Sequence, residues 1–110
     1  MEEKVIQIAT MVIIHAGNAK ARVQKALKAA ESGDLAAAER ELESAGEEIQ
    51  AAHRTQTEII QAEARGESLG LSLLLTHAQD TLMTAMSEVN MATHMLTLYR
   101  RIGELAGKAD

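Results

Sequence analysis

Residues 32–52 read Ser-Gly-Asp-Leu-Ala-Ala-Ala-Glu-Arg-Glu-Leu-Glu-Ser-Ala-Gly-Glu-Glu-Ile-Gln-Ala-Ala, and this stretch decides the fold. Its first three residues are a stop and a start. Gly33 relieves the left-handed exit of a preceding helix, and Asp34 can accept from the free amides of the next. Two heptad columns then run on, Leu35, Leu42, Ile49, Gln56 and Glu63 in one and Ala38, Ala45, Ala52 and Ile59 in the other. They form one stripe of a long helix facing a bundle, while Glu39, Arg40, Glu43, Glu47 and Glu48 stay in water.

A second break, Arg65-Gly66-Glu67-Ser68, places Ser68 or Glu67 near a new helix cap. The spans are about 3–31, 34–64 and 68–106, and short turns make consecutive helices antiparallel neighbours. The expectation is therefore an all-α, antiparallel three-helix bundle, one domain over residues 1–110. Composition agrees: proline and cysteine are absent, Tyr99 is the one aromatic residue, and 46% of the chain is hydrophobic. A core of aliphatic side chains and methionine buries less area per residue than one with rings, so such a bundle gains from association.

Two helices carry apolar surface beyond what one core needs. In the first, Ile6, Ile8, Val12, Ile13 and Ile14 spread too far round the cylinder for a single stripe. In the third, Leu71, Leu74, Leu75, Ala78, Leu82, Ala85 and Val89 supply a core face, yet Leu73, His77, Asp80, Thr84 and Leu98 share another side. Surplus apolar faces on two helices point to a homo-oligomer.

The net charge of −5 argues against nucleic acid as the main partner. Lys20, Arg22, Lys25 and Lys28 form a short basic cluster, read as a solvated face or as docking for an acidic partner. No stretch approaches the roughly 18 apolar residues of a membrane span, so direct membrane insertion is not expected. Met-Glu-Glu-Lys lacks the basic start of a signal peptide, and a cytoplasmic location is the default expectation.

His15, His53, His77 and His94 show no His-Glu-x-x-His pattern and have no cysteine partner, which disfavours a catalytic zinc. His94 reads as a packing or surface residue and His53 as a structural one beside the second helix's stripe. His15, before Gly17, reads as a polar group that could border a cleft. His77 is the best nucleophile available. It is either a satisfied interface histidine or a phosphoryl acceptor, since a neutral imidazole nitrogen is nucleophilic at physiological pH. Gln79 and Thr81 are near enough in sequence to offer it donors.

Ile13-Ile14-His15-Ala16-Gly17-Asn18-Ala19, the turn from Ala29 through Leu35, Ala52-His53-x-x-Gln56-Thr57 and Leu73-Leu-Leu-Thr-His77-Ala-Gln-Asp80 follow one another over nearly the whole chain. Together they resemble the lactose/cellobiose-type enzyme IIA components of the bacterial phosphoenolpyruvate-dependent sugar phosphotransferase system. The resemblance implies a three-helix subunit assembled as a homotrimer. His77 would carry phosphate from the histidine-containing phosphocarrier protein to an enzyme IIB cysteine, with Gln79 a local donor. Asp80 would face the threefold axis and share a metal ion, typically magnesium. Three carboxylates on one axis would repel unless a cation or shared protons neutralised them, which fits that role. The sugar is not identified, because the membrane component recognises it.

The chain departs from the family where Lys20 and Ala21 replace an arginine and a serine, and where Thr81 replaces a second histidine. From Leu69 to Tyr99 only Asp80 and Glu88 are charged, and Met83, Met86, Asn90, Thr93, His94 and Thr97 fall on a third, uncharged side. That side reads either as natural drift or as a further protein interface, natural or engineered. An alternative reading follows from it: a redesigned trimeric building block of a larger assembly.

Overall fold

The computed structural model describes residues 3–67 and 72–109. Three helices, α1 (Glu3–Glu31), α2 (Leu35–Ala64) and α3 (Leu73–Ala109), run along the long axis of a body measuring 64 × 20 × 18 Å. At the first break Gly33 takes φ +87°, its N–H donates to the Ala30 carbonyl at 3.0 Å, and the Asp34 N–H donates to the Ala29 carbonyl at 2.9 Å. This pair of bonds closes α1 in a Schellman motif. Asp34 then starts α2, its Oδ1 accepting from the Ala37 amide at 3.0 Å.

The second break repeats the device. Gly66 also takes φ +87°, its N–H donates to the Glu63 carbonyl at 2.9 Å, and the Glu67 N–H donates to that of Ala62 at 3.1 Å. The cap of α3 differs from the sequence expectation. Ser68 lies outside the described residues, the Glu67 side chain pairs with Arg65, and Ser72 does the capping: its Oγ accepts from the Leu75 amide at 3.1 Å. The helix begins at Leu73 rather than 68 and continues to Ala109 rather than 106.

Alanine builds the core. Ala9, Ala16, Ala19, Ala26, Ala38, Ala45, Ala52, Ala78 and Ala85 have no exposed surface, and Leu82 and Val12 are the largest fully buried side chains. Small side chains let the helices approach closely, but each removes little apolar area from water, so one subunit alone is thinly stabilised. In α2 the alanine column is the deep one. Leu35, Leu42, Ile49 and Gln56 are half-buried at its edge, and Glu63 is exposed, outside the stripe. In α3, Ala78, Leu82 and Ala85 are buried with Leu74, Leu75 and Val89 packed against them; Leu71 lies outside the described residues. A smaller cluster of Ala30, Ala38 and Leu96, with Tyr99 against it, closes the end near the first turn.

Polar contacts set the register. Lys20 Nζ lies 3.4 Å from Glu88 Oε2, tying α1 to α3; Arg22 meets Glu41 at 3.0 Å, tying α1 to α2; and Arg100 meets Glu39. Half of the basic cluster thus serves inside the subunit. These pairs are partly solvated, so they align the helices more than they stabilise them. Beyond them α3 outlasts its neighbours, and every residue from Arg101 to Gly107 is exposed.

Candidate functional site

Ser72 is followed by one helical turn, Leu73 to Thr76, and His77 opens the next. The imidazole is exposed, as is the Asp80 carboxylate one turn on. Asp80 leaves α3 on the side opposite its core residues Ala78, Leu82 and Ala85, and His77 leaves from the flank between that side and the core. Asp80 has no ion-pair partner among the described residues, so its charge is met by nothing inside the subunit.

The neighbouring side chains offer His77 less than their spacing implied. Gln79 is half-buried and lies two residues on, which places it nearly on the opposite side of the cylinder. Thr81 is on the right side, but its Oγ1 donates to the His77 carbonyl at 2.8 Å. Thr76 and Thr84 behave alike, donating to the carbonyls of Ser72 and Asp80 at 3.0 and 2.8 Å. A threonine inside a helix satisfies itself on the carbonyl four residues back. The donors needed to stabilise a transferring phosphoryl group therefore have to come largely from a partner.

The surroundings suit such a partner. Between residues 5 and 19 of α1 and between 72 and 87 of α3, Asp80 is the sole aspartate, glutamate, lysine or arginine. The Lys20 to Glu88 pair aligns these segments, since eleven residues back from each stand Ala9 and His77. At this level α1 exposes Ile6 (41%), Met11 (44%) and Ile14 (49%), and Ile6, Gln7, Thr10 and Met11 line a shallow depression. An exposed nucleophile bordered by uncharged, partly apolar surface is arranged for protein docking.

A second uncovered feature runs up α3. Leu73, Met91, Met95, Leu98, Ile102 and Leu105 are all exposed, Leu98 and Ile102 to 62% and Leu105 to 66%. From Met91 onward they recur at the alternating spacing of four and three that marks a coiled-coil seam. The third side is exposed as well: Met83, Met86, Asn90, Thr93, His94 and Thr97 all face solvent in one subunit. Thr93 and Thr97 border a groove toward α2, where Leu42 and Leu96 form the floor and Glu39 and Arg100 meet.

The remaining histidines stand apart from His77. His15 Nδ1 is 2.6 Å from Glu48 Oε2 between α1 and α2, so Glu48 is half-buried rather than free in water, and His15 is an interhelix tie. Charge pattern alone could not reveal this pairing, because Glu48 reads as one of a run of solvated glutamates. His53 is exposed at the α2 surface. Among the described residues no three metal-ligating side chains gather within one subunit.

Comparison with known proteins assigns these features to a lineage. The family model described as PTS system, lactose/cellobiose specific IIA subunit, matches residues 7–100. A lichenan-specific phosphotransferase enzyme IIA component of Bacillus subtilis is 44% identical over 107 residues, covering 97% of each chain. The crystal structure of the PTS cellobiose-specific enzyme IIA from Bacillus anthracis superposes with TM-score 0.89 at 39% identity, covering 94% of this chain and 95% of that one. The IIA(Chitobiose) chain of the Escherichia coli N,N'-diacetylchitobiose branch, solved in complex with HPr, superposes with TM-score 0.79 at 33% identity over 94% of this chain and 99% of that one.

Proposed function

The chain belongs to the lactose/cellobiose-specific IIA subunits of the sugar phosphotransferase system, and from that premise we propose that His77 is its phosphoryl carrier. The observation that carries the assignment is an exposed imidazole inside the His-Ala-Gln-Asp sequence, bordered by uncharged docking surface. The histidine-containing phosphocarrier protein would donate. An imidazole nitrogen attacks the phosphorus, the phosphorus–nitrogen bond to the donor breaks, and the donor histidine leaves with the electron pair. An enzyme IIB cysteine thiolate then takes the group for uptake of a lactose-, cellobiose- or chitobiose-type sugar. Positioning and charge stabilisation at the protein interface suffice for both steps. Such work belongs in the cytoplasm, and no described helix is long and apolar enough to cross a membrane.

The same reading makes the subunit one third of a homotrimer. The uncovered seam of α3 supplies apolar surface that an alanine core leaves unused. Asp80 from three copies would hold a divalent cation such as magnesium. The residue present fits: an exposed carboxylate without a cationic partner is a hard oxygen donor, and in triplicate it requires neutralisation. When bound, the ion would neutralise the axis. The alternative of a redesigned building block is not favoured, since the likeness to enzyme IIA proteins runs through nearly the whole chain.

Incubation with phosphoenolpyruvate, enzyme I and the phosphocarrier protein tests the carrier. Intact mass should rise by one phosphoryl group, and His77→Ala should abolish the gain. A gain that survives that substitution would remove His77 from the mechanism.

A further inference from the structure

Leu42 of α2 and Thr93 of α3 line one groove between these helices. Fourteen residues on from Leu42 stands Gln56, and fourteen residues back from Thr93 stands Gln79. Two whole heptads bring packed antiparallel helices back to the same faces, so Gln56 and Gln79 lie level and turned toward each other across the contact of α2 with α3. Both are half-buried, and Gln56 Oε1 is buried without a hydrogen-bond partner among the described residues.

The column that leads to Gln56 is Leu35, Leu42 and Ile49, and one more aliphatic side chain would complete it. An orphaned acceptor in an apolar column weakens the fold, and a local rule broken in this way marks a functional candidate. Here the breach faces the turn of α3 that carries His77 and Asp80. Among the described residues that turn has no ion pair of its own: the pairs that fasten α3 to its neighbours start from Glu88 and Arg100, eleven and twenty-three residues beyond His77.

We infer that Gln56 positions His77 during phosphoryl transfer, by accepting a hydrogen bond from the side-chain amide of Gln79. This rests on the carrier reading above. Helices in contact stand about 8–10 Å apart, a gap that two facing glutamine side chains span, so side-chain rotation alone closes the clasp. In the resting subunit the acceptor is open. Once closed, the bond ties the His77 turn to α2 and stops it rolling about the helix axis. The imidazole, two residues before Gln79, then keeps one direction toward the incoming phosphorus. Transfer is steep in such alignment, since a misplacement of about 1 Å costs on the order of a hundredfold. Gln79 thus serves the histidine through the backbone, from the far side of the helix, and not as a donor to the ring. A pair of amides suits the task because each offers N–H and C=O without bringing charge into the contact.

The test is rapid-quench phosphoryl uptake by Gln56→Leu, Gln79→Leu and the double variant, from increasing concentrations of the phosphorylated phosphocarrier protein. Each single variant should lower the rate at saturating donor about tenfold, within the range that misalignment commands, and leave the half-saturating concentration unchanged. The double variant should lose no more than either single one, because the same bond is missing in all three. The urea midpoint of Gln56→Leu should be no lower than that of the wild-type chain, so the loss is not one of folding. Uptake at the wild-type rate in either single variant, or losses that multiply in the double, would overturn the clasp and leave the carrier reading standing. A wild-type chain that takes up no phosphoryl group on His77 would overturn both.

Discussion

The Thr81 hydroxyl donates to the main-chain carbonyl of His77, 2.8 Å away, and so gives no proton to the imidazole. A threonine where relatives carry a second histidine is thereby a helix-satisfied residue rather than a replacement donor. Thr81→Ala should change the rate of phosphoryl uptake by less than about threefold and stability by no more than about 0.5 kcal/mol, as for partly exposed positions without special contacts. Rapid-quench transfer from the phosphocarrier protein would measure it. A tenfold loss would mean that the hydroxyl turns to the ring during transfer.

Asp80 stands exposed and uncompensated in one subunit. If three such carboxylates share a magnesium ion, a chelator should weaken the native trimer and leave Asp80→Leu unaffected, because leucine replaces repulsion with apolar contact. Sedimentation with and without chelator reads this directly. Dissociation of the leucine variant into monomers in magnesium buffer would show that the ion bridge holds the assembly together.

Leu98 is 62% exposed in the subunit and lies mid-seam on α3. Leu98→Glu puts three like charges into the proposed contact and should shift the chain to monomers at micromolar concentration. A trimer unchanged by that substitution would place the contact elsewhere.

Gln56 is half-buried in α2, and its Oε1 is buried with no hydrogen-bond partner among the described residues. An orphaned buried acceptor costs about 1–3 kcal/mol, so Gln56→Leu should raise the unfolding free energy by about 1 kcal/mol. Urea denaturation decides, and a destabilised variant would mean that the amide has a partner in the assembled state.

Asp34 starts α2 through one side-chain bond to the Ala37 amide. Asp34→Ala should cost about 1 kcal/mol in the same urea experiment, the usual loss of a helix cap. No change would show that the Gly33 turn alone fixes the boundary.

Most of this architecture was legible in the sequence for local reasons. The first turn was readable because Gly33 and Asp34 each do one backbone job that few residues do. The start of α3 was not, because Glu67 and Ser68 read as caps from their place beside Gly66, whereas Ser72, set in an apolar run, carries no break signal and is the residue that caps the helix. Heptad counting found both columns of α2 without ranking them, since depth depends on how closely alanine lets α1 approach. His77 and Asp80 stood out as polar residues within an apolar segment. The tie between His15 and Glu48 did not, because a bond across thirty-three positions leaves no periodic trace.

In the proposed homotrimer, the uncovered end of α3 makes protein concentration a structural variable. All seven residues from Arg101 to Gly107 are exposed, and a helical end so open is held mainly by its own backbone bonds. On dilution below the association range these two turns should fray first, visible as rapid amide exchange confined to that end. The length of the folded subunit is then set partly by how many others surround it.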